Sequence, residues 1–172
     1  MEKKELELYI HIPFCVRKCN YCDFLSFPAD EDTQRQYVKA LCKEIFYYGA
    51  HCRDYVVSTV YIGGGTPSWL WESDMAEIMD AVHKNFALLP DAEVSVECNP
   101  GTVTAQKFAV YRQSGINRIS LGLQSAQNVE LKMLGRIHTW EQFLKTYELA
   151  RSGGFSNINV DLMSSLPGQH IE

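Results

Sequence analysis

The chain predicts an α/β fold built on a parallel sheet, and three observations carry that reading. Five short β-rich runs recur along its 172 residues. Amphipathic helical patterns separate them, so each strand-to-strand connection is long enough to cross over, and such crossovers are right-handed and give parallel pairing. No linker, low-complexity tract or long charge run interrupts the alternation. A sheet of this kind is either open or curved into a barrel.

The elements follow in order. Residues 8–14 form the first strand, stopped by Pro13. Residues 33–48 place Tyr37, Leu41, Ile45 and Tyr48 on one helical face, and residues 59–62 form the second strand. Ser73 precedes a helical run carrying Met75, Ile78, Met79, Val82 and Phe86 at helical spacing. A third strand occupies residues 93–98. Thr104 opens a helix closed by Gly115, and residues 117–123 make the fourth strand. Thr139 with Gln142 is a capping box ahead of Phe143, Leu144, Tyr147 and Ala150, and Gly153 and Gly154 end that helix. The fifth strand spans residues 157–163. The Ser-Gly turns before Ile116 and Phe155 occupy matching positions in successive units.

Composition sets limits. At 46% hydrophobic residues the chain fills a core, which excludes disorder, and its length suits one domain over 1–172. Sixteen Lys and Arg against twenty-one Asp and Glu give a net charge of -5, which speaks against nucleic acid as a partner. The charged start, residues 1–8, and the lack of a long apolar run predict no export signal and no membrane span. A cytoplasmic protein is expected. The last residues stop just after the fifth strand, where an edge is left unpaired, so a truncated, N-terminal part of a larger unit is expected.

Six cysteines are too few for a disulfide-stapled domain, and three of them, Cys15, Cys19 and Cys22, lie within eight residues. That C-x3-C-x2-C loop lets three thiolates converge. Three ligands suit an iron-sulfur cluster with one open iron, whereas structural zinc needs a fourth, for which His11 is a candidate. Cys42, Cys52 and Cys98 read as buried or idle thiols. After the second strand come Gly63, Gly64, Gly65, Thr66 and Pro67. Glycines there let backbone approach a ligand, although a tight turn would need them too. Glu97 and Asn99 end the third strand, Gln124 the fourth, and Asp161 lies late in the fifth. The carboxyl ends of parallel strands are where ligands gather.

These residues resemble a known family, the radical S-adenosylmethionine (radical SAM) proteins. The similarity is to the branch that holds oxygen-independent coproporphyrinogen III oxidases and heme chaperones. It rests on Tyr9 to Cys15, the cysteine triplet with Tyr21, Gly63 to Pro67, Glu97 with Asn99 to Thr102, Ser120 to Gln124, Leu134 to Arg136, and Asp161. The resemblance implies a partial (βα) barrel of the TIM type with about five units present and a sixth strand missing. It implies a 4Fe-4S cluster on Cys15, Cys19 and Cys22, with SAM on the open iron. It further implies that Tyr9, Tyr21, Gly64, Gly65, Thr66, Glu97, Gln124, Arg136 and Asp161 contact SAM.

Within the branch, the stretch from Ser120 to His138 and Cys22-Asp-Phe24 look like the heme-chaperone type. The oxidases carry another cysteine soon after the triplet. At Ser164 and Ser165 the family has Tyr-Gly. The resemblance implies heme or porphyrin as a further ligand, an electron donor such as flavodoxin, and a haemoprotein acceptor. Two other functions stay open: a SAM-cleaving enzyme similar to coproporphyrinogen III dehydrogenases, which decarboxylates the porphyrinogen oxidatively, and a zinc-stabilised interaction domain.

Overall fold

The computed structural model describes residues 4–169. Met1 to Lys3, part of the charged start, lie outside the described residues. Strands β1 (Lys4–Ile12), β2 (Tyr55–Gly64), β3 (Leu88–Cys98), β4 (Arg118–Gln124) and β5 (Asn157–Leu162) form one sheet in sequential order. Every neighbouring pair is parallel. The crossovers carry α1 (Glu31–His51), α2 (Glu72–Asn85), α3 (Ala105–Gln113), a short α4 (Asn128–Met133) and α5 (Trp140–Ser152). A strand order that never reverses is that of a barrel wall, here an arc of five strands.

The helix signals are decided by side-chain chemistry. Asp30 caps α1, which starts ahead of residue 33: its carboxylate accepts from the Thr33 N–H at 2.8 Å, and Glu31 and Asp32 favour the positive end of the helix. Ser73 lies inside α2, which starts after an extended Trp71 with no side-chain cap. Thr104 caps α3 and the Thr139/Gln142 capping box opens α5 as the sequence predicts. β3 begins well before Glu93 because Leu88 pairs with Val57; Pro90, which lacks an N–H, coincides with the break before pairing resumes at Glu93. The sequence gives no sign of α4, which is too short to show a period.

Alternation along the strands sorts the side chains. Ile10, Ile12, Val60, Ile62, Val94, Val96, Ile119 and Leu121 face the helices and join one apolar core with Val38, Ile78, Val82, Phe108, Tyr111 and Phe155. The opposite, inner face is polar. Tyr9, Tyr61, Ser95, Arg118 and Asn157 stand in one register row across the five strands. Among the described residues, no helix is long and apolar enough to cross a membrane.

Candidate functional site

The cysteine loop leaves β1 at Pro13 and folds back on itself. Cys15 N–H donates to Phe27 O at 3.1 Å and Phe27 N–H donates to Pro13 O at 2.9 Å. Its middle is stitched to the segment after α4. Asn20 donates from its backbone to Leu134 O at 3.0 Å and from its side chain to Met133 O at 2.9 Å, and Arg17 Nη2 donates to Gly135 O at 2.7 Å. Gly135 takes φ +75, and a Cβ there would meet Asn20 Oδ1 at 2.9 Å. These ties hold Cys15, Cys19 and Cys22, all free thiols, on the wall of one pocket. Cys15 is buried and the other two are half-buried.

The glycine turn supplies the opposite wall. Gly65 N–H donates to Ile12 O at 2.8 Å and Thr66 N–H to Phe14 O at 2.7 Å, locking the turn to the backbone that enters the cysteine loop. A side chain at Gly63 would stand 2.7 Å from the Tyr61 ring, and Gly64 adopts φ +116. Both positions therefore require glycine.

The polar side chains converge between these walls. Glu97 Oε1 accepts from Tyr61 Oη at 2.7 Å and Oε2 accepts from Gly64 N–H at 3.0 Å. Burial and the Glu97 carboxylate raise the Tyr61 pKa well above the usual phenol value, so its hydroxyl stays a donor. Arg136 Nη2 donates to Gly122 O at 2.6 Å and Asn99 Oδ1 at 2.7 Å, while Nη1 lies 3.4 Å from Tyr21 Oη and 3.7 Å from Cys19 Sγ. Its Nε is buried without a partner. Asp161 accepts from Ser120 and Asn159. Gln124 holds φ +72, a left-handed conformation uncommon for a non-glycine residue and typical of strained functional positions.

Of the residues singled out in the sequence, Cys15, Cys19, Cys22, Tyr21, Gly64, Gly65, Thr66, Glu97, Gln124, Arg136 and Asp161 line this one pocket. Tyr9 does not. It is 61% exposed, and its hydroxyl meets His11 Nδ1 at 2.9 Å near a separate groove beside α1. His11 is no fourth ligand in this arrangement, since its Nε2 also has a partner, Leu25 O at 3.0 Å. Among the described residues, no three His, Cys, Asp or Glu side chains gather closely enough to hold a single metal ion.

Sequence reasoning missed two contributors. Lys107 is buried and its Nζ donates to Ser68 O at 2.8 Å and Thr102 O at 3.1 Å, clamping the glycine turn to the Asn99–Thr102 loop. Burial pushes its pKa down. Nothing in the sequence separates it from a solvated helix lysine. Tyr61 could have been found, because it sits two residues before Gly63 on the same strand face.

The pocket is a cavity of about 120 Å³ that opens to solvent. Three thiols without disulfide partners, a turn in which added side chains would clash, and an orphaned guanidinium nitrogen fit a thiolate-held cluster beside a polar, charged ligand. Residues 9–172 match the model of the Radical SAM superfamily. The heme chaperone HemW of Escherichia coli (strain K12) is 43% identical over 168 residues, 97% of this chain and 44% of that protein. HemW of Bacillus subtilis (strain 168) is 36% identical over 167 residues, covering 95% of this chain and 44% of its own length. Among solved structures, the coproporphyrinogen III oxidase HemN of Escherichia coli superposes with a TM-score of 0.89 at 31% identity, over 98% of this chain and 39% of that one. The chain thus spans less than half the length of these relatives. Its sheet, its cysteine loop and the matched residues agree: this chain belongs to the Radical SAM superfamily.

Proposed function

We propose that residues 1–172 are the cluster- and SAM-holding domain of a cytoplasmic heme chaperone, which passes heme to a haemoprotein and draws electrons from a carrier such as flavodoxin. One observation carries the cofactor part: the three thiols share a pocket with the glycine turn, Glu97, Gln124, Arg136 and Asp161. The heme part is supported by the relatives named as heme chaperones at 36–43% identity.

Cys15, Cys19 and Cys22 hold a 4Fe-4S cluster in this reading. When bound and reduced, the cluster supplies the electron that splits SAM into methionine and a 5'-deoxyadenosyl radical. The chain's own residues bind and orient SAM. Backbone carbonyls of the glycine turn receive an ammonium, and Asp161 receives hydroxyl or amine donors. Glu97, already held by Tyr61 and Gly64, keeps lone pairs for the same purpose. Arg136 has spent Nη2 on protein acceptors and Nη1 lies against Tyr21 and Cys19, so the unpartnered Nε is the donor it has left for a carboxylate. Tyr9 acts from outside the pocket wall or not at all.

A second reading, oxidative decarboxylation of coproporphyrinogen III, is favoured by the structural likeness to HemN. Membership of the superfamily leaves no support for the zinc-stabilised domain. The deciding experiment reconstitutes the full-length protein anaerobically. About four irons with sulfide per chain, lost in Cys15→Ala, Cys19→Ala or Cys22→Ala, support the cofactor reading; zinc without sulfide refutes it. Saturable heme binding with no decarboxylated product from SAM, reductant and coproporphyrinogen III supports the chaperone. Robust SAM-dependent product promotes the oxidase.

A further inference from the structure

Asn99 occupies a singular place in the pocket, since its one amide reaches two of the three cysteines through other side chains. Nδ2 donates to Thr66 Oγ1 at 2.9 Å, and Thr66 Oγ1 in turn donates to Cys15 Sγ at 3.4 Å. Oδ1 accepts from Arg136 Nη2 at 2.7 Å, and the same guanidinium places Nη1 3.7 Å from Cys19 Sγ. Gly122 makes the room: a Cβ there would stand 3.1 Å from both Arg136 Nη2 and Asn99 Oδ1.

The backbone of Asn99 is held independently of that amide. Its N–H donates to Ser68 Oγ at 3.0 Å, Ser68 lies 2.5 Å from Thr102 Oγ1, and Thr102 Oγ1 donates back to Asn99 O at 2.8 Å. This closed ring, clamped from below by Lys107, fixes the residue whether or not its side chain is present. The amide is therefore free for a second task.

We propose that Asn99 is a positioning residue that sets the reduction potential of the cluster by aiming one hydrogen-bond donor at Cys15 and another at Cys19. The proposal rests on the reading of Cys15, Cys19 and Cys22 as cluster ligands. Reduction adds one electron, delivered by an external low-potential one-electron carrier, and makes or breaks no bond. The added negative charge spreads onto the thiolate sulfurs. Donors pointed at those sulfurs stabilise the more negative form and raise the potential. The relay through Thr66 reinforces this, because an amide donating to the hydroxyl oxygen polarises its O–H toward the sulfur. On the other arm, the bond to Oδ1 keeps the guanidinium from swinging off Cys19.

The test uses the full-length protein, reconstituted anaerobically without SAM, as parent, Asn99→Ala, Thr66→Val and the double variant. Iron and sulfide per chain are measured first, then the midpoint potential by redox titration followed in the electron paramagnetic resonance spectrum. Asn99→Ala is expected to keep its iron and to shift the reduction equilibrium about tenfold toward the oxidised cluster, a fall of about 59 mV for a one-electron couple. Thr66→Val should fall by less, and the double variant by less than the sum, since both act on Cys15 through one hydroxyl. An unchanged or raised potential in Asn99→Ala overturns the proposal, as do strictly additive shifts. Loss of iron in Asn99→Ala also overturns it, for it would make the amide a builder of the site rather than a tuner. A parent protein without sulfide fails the cluster reading itself, which is a separate result.

Discussion

Gly65→Ala tests how tightly the glycine turn is fused to the strand that leads into the cysteines. The added Cβ would lie 2.6 Å from Phe14 O and 3.0 Å from Ile12 O, the two carbonyls that accept from Thr66 and Gly65 N–H. Both clashing atoms are backbone, so no rotamer change relieves them. Stretching two backbone hydrogen bonds costs about 0.5 to 1.5 kcal/mol each. Forcing a methyl into filled space adds about 1 to 3 kcal/mol. The total, about 2 to 6 kcal/mol, lowers the urea midpoint by roughly 1 to 3 M at a slope near 2 kcal/mol per molar. The same displacement moves Phe14 and with it Cys15, so iron loading should fall in step. Gly154→Ala is the control: Gly154 holds a positive φ, +87, which Gly65 does not, but its nearest neighbour is Arg112 Nε at 4.0 Å. It should cost only about 1 kcal/mol of left-handed strain and leave iron untouched. Equal urea midpoints for the parent and Gly65→Ala, with full iron loading, would refute the reasoning.

Three further outcomes follow from buried or strained groups. Lys107→Met should destabilise the fold by about 1 to 3 kcal/mol in urea unfolding, because it strands the Ser68 and Thr102 carbonyls, and should weaken SAM binding as the two loops part. Ser165→Gly should stabilise by about 0.5 to 1 kcal/mol, since Ser165 holds φ +61 where glycine is at ease; a loss of stability would contradict the strain. His138 is buried beside Arg136, and burial followed by that cation depresses its pKa to about 4. Its contribution is therefore present above the ordinary histidine value and lost as pH falls toward 4, at most about 3 kcal/mol. His138→Gln should flatten that slope, and an identical slope in parent and variant counts against a buried neutral imidazole.

How much was legible beforehand depended on whether a feature was local. Caps at Thr104 and Thr139 were readable because the cap and its target lie three residues apart. The parallel pairing was readable because helix-length crossovers leave few alternatives, whereas the crossovers alone left open sheet and barrel undecided. The early start of β3 was not, since Pro90 argued against a strand and only the pairing of Leu88 with Val57 shows otherwise. At the site, residues at the carboxyl ends of strands were foreseeable from position alone. Lys107 and His138 were not, because their burial is decided by what packs over them. Tyr9 is the instructive case: it shares the inner face with Tyr61, yet lies at the open edge of the sheet, outside the pocket.

The polarity of that inner face has a consequence for how stability and function divide. Closed eight-stranded barrels fill their interior with branched apolar side chains. Here Glu93, Ser95, Arg118 and Asn157 bond to one another low in the arc, and Ser120, Asn159 and Asp161 do so nearer the pocket. The apolar area that holds the sheet together therefore lies almost wholly on the helix side. A methyl removed there, as in Ile62→Val, spends its effect on stability at about 0.5 to 1.5 kcal/mol. A polar atom removed from the inner face, as in Asn159→Ala, instead takes a donor from Ser120 and Asp161 at the wall of the pocket. Two faces of one strand thus carry separable roles, because side chains alternate along it and only one side has helices to pack against.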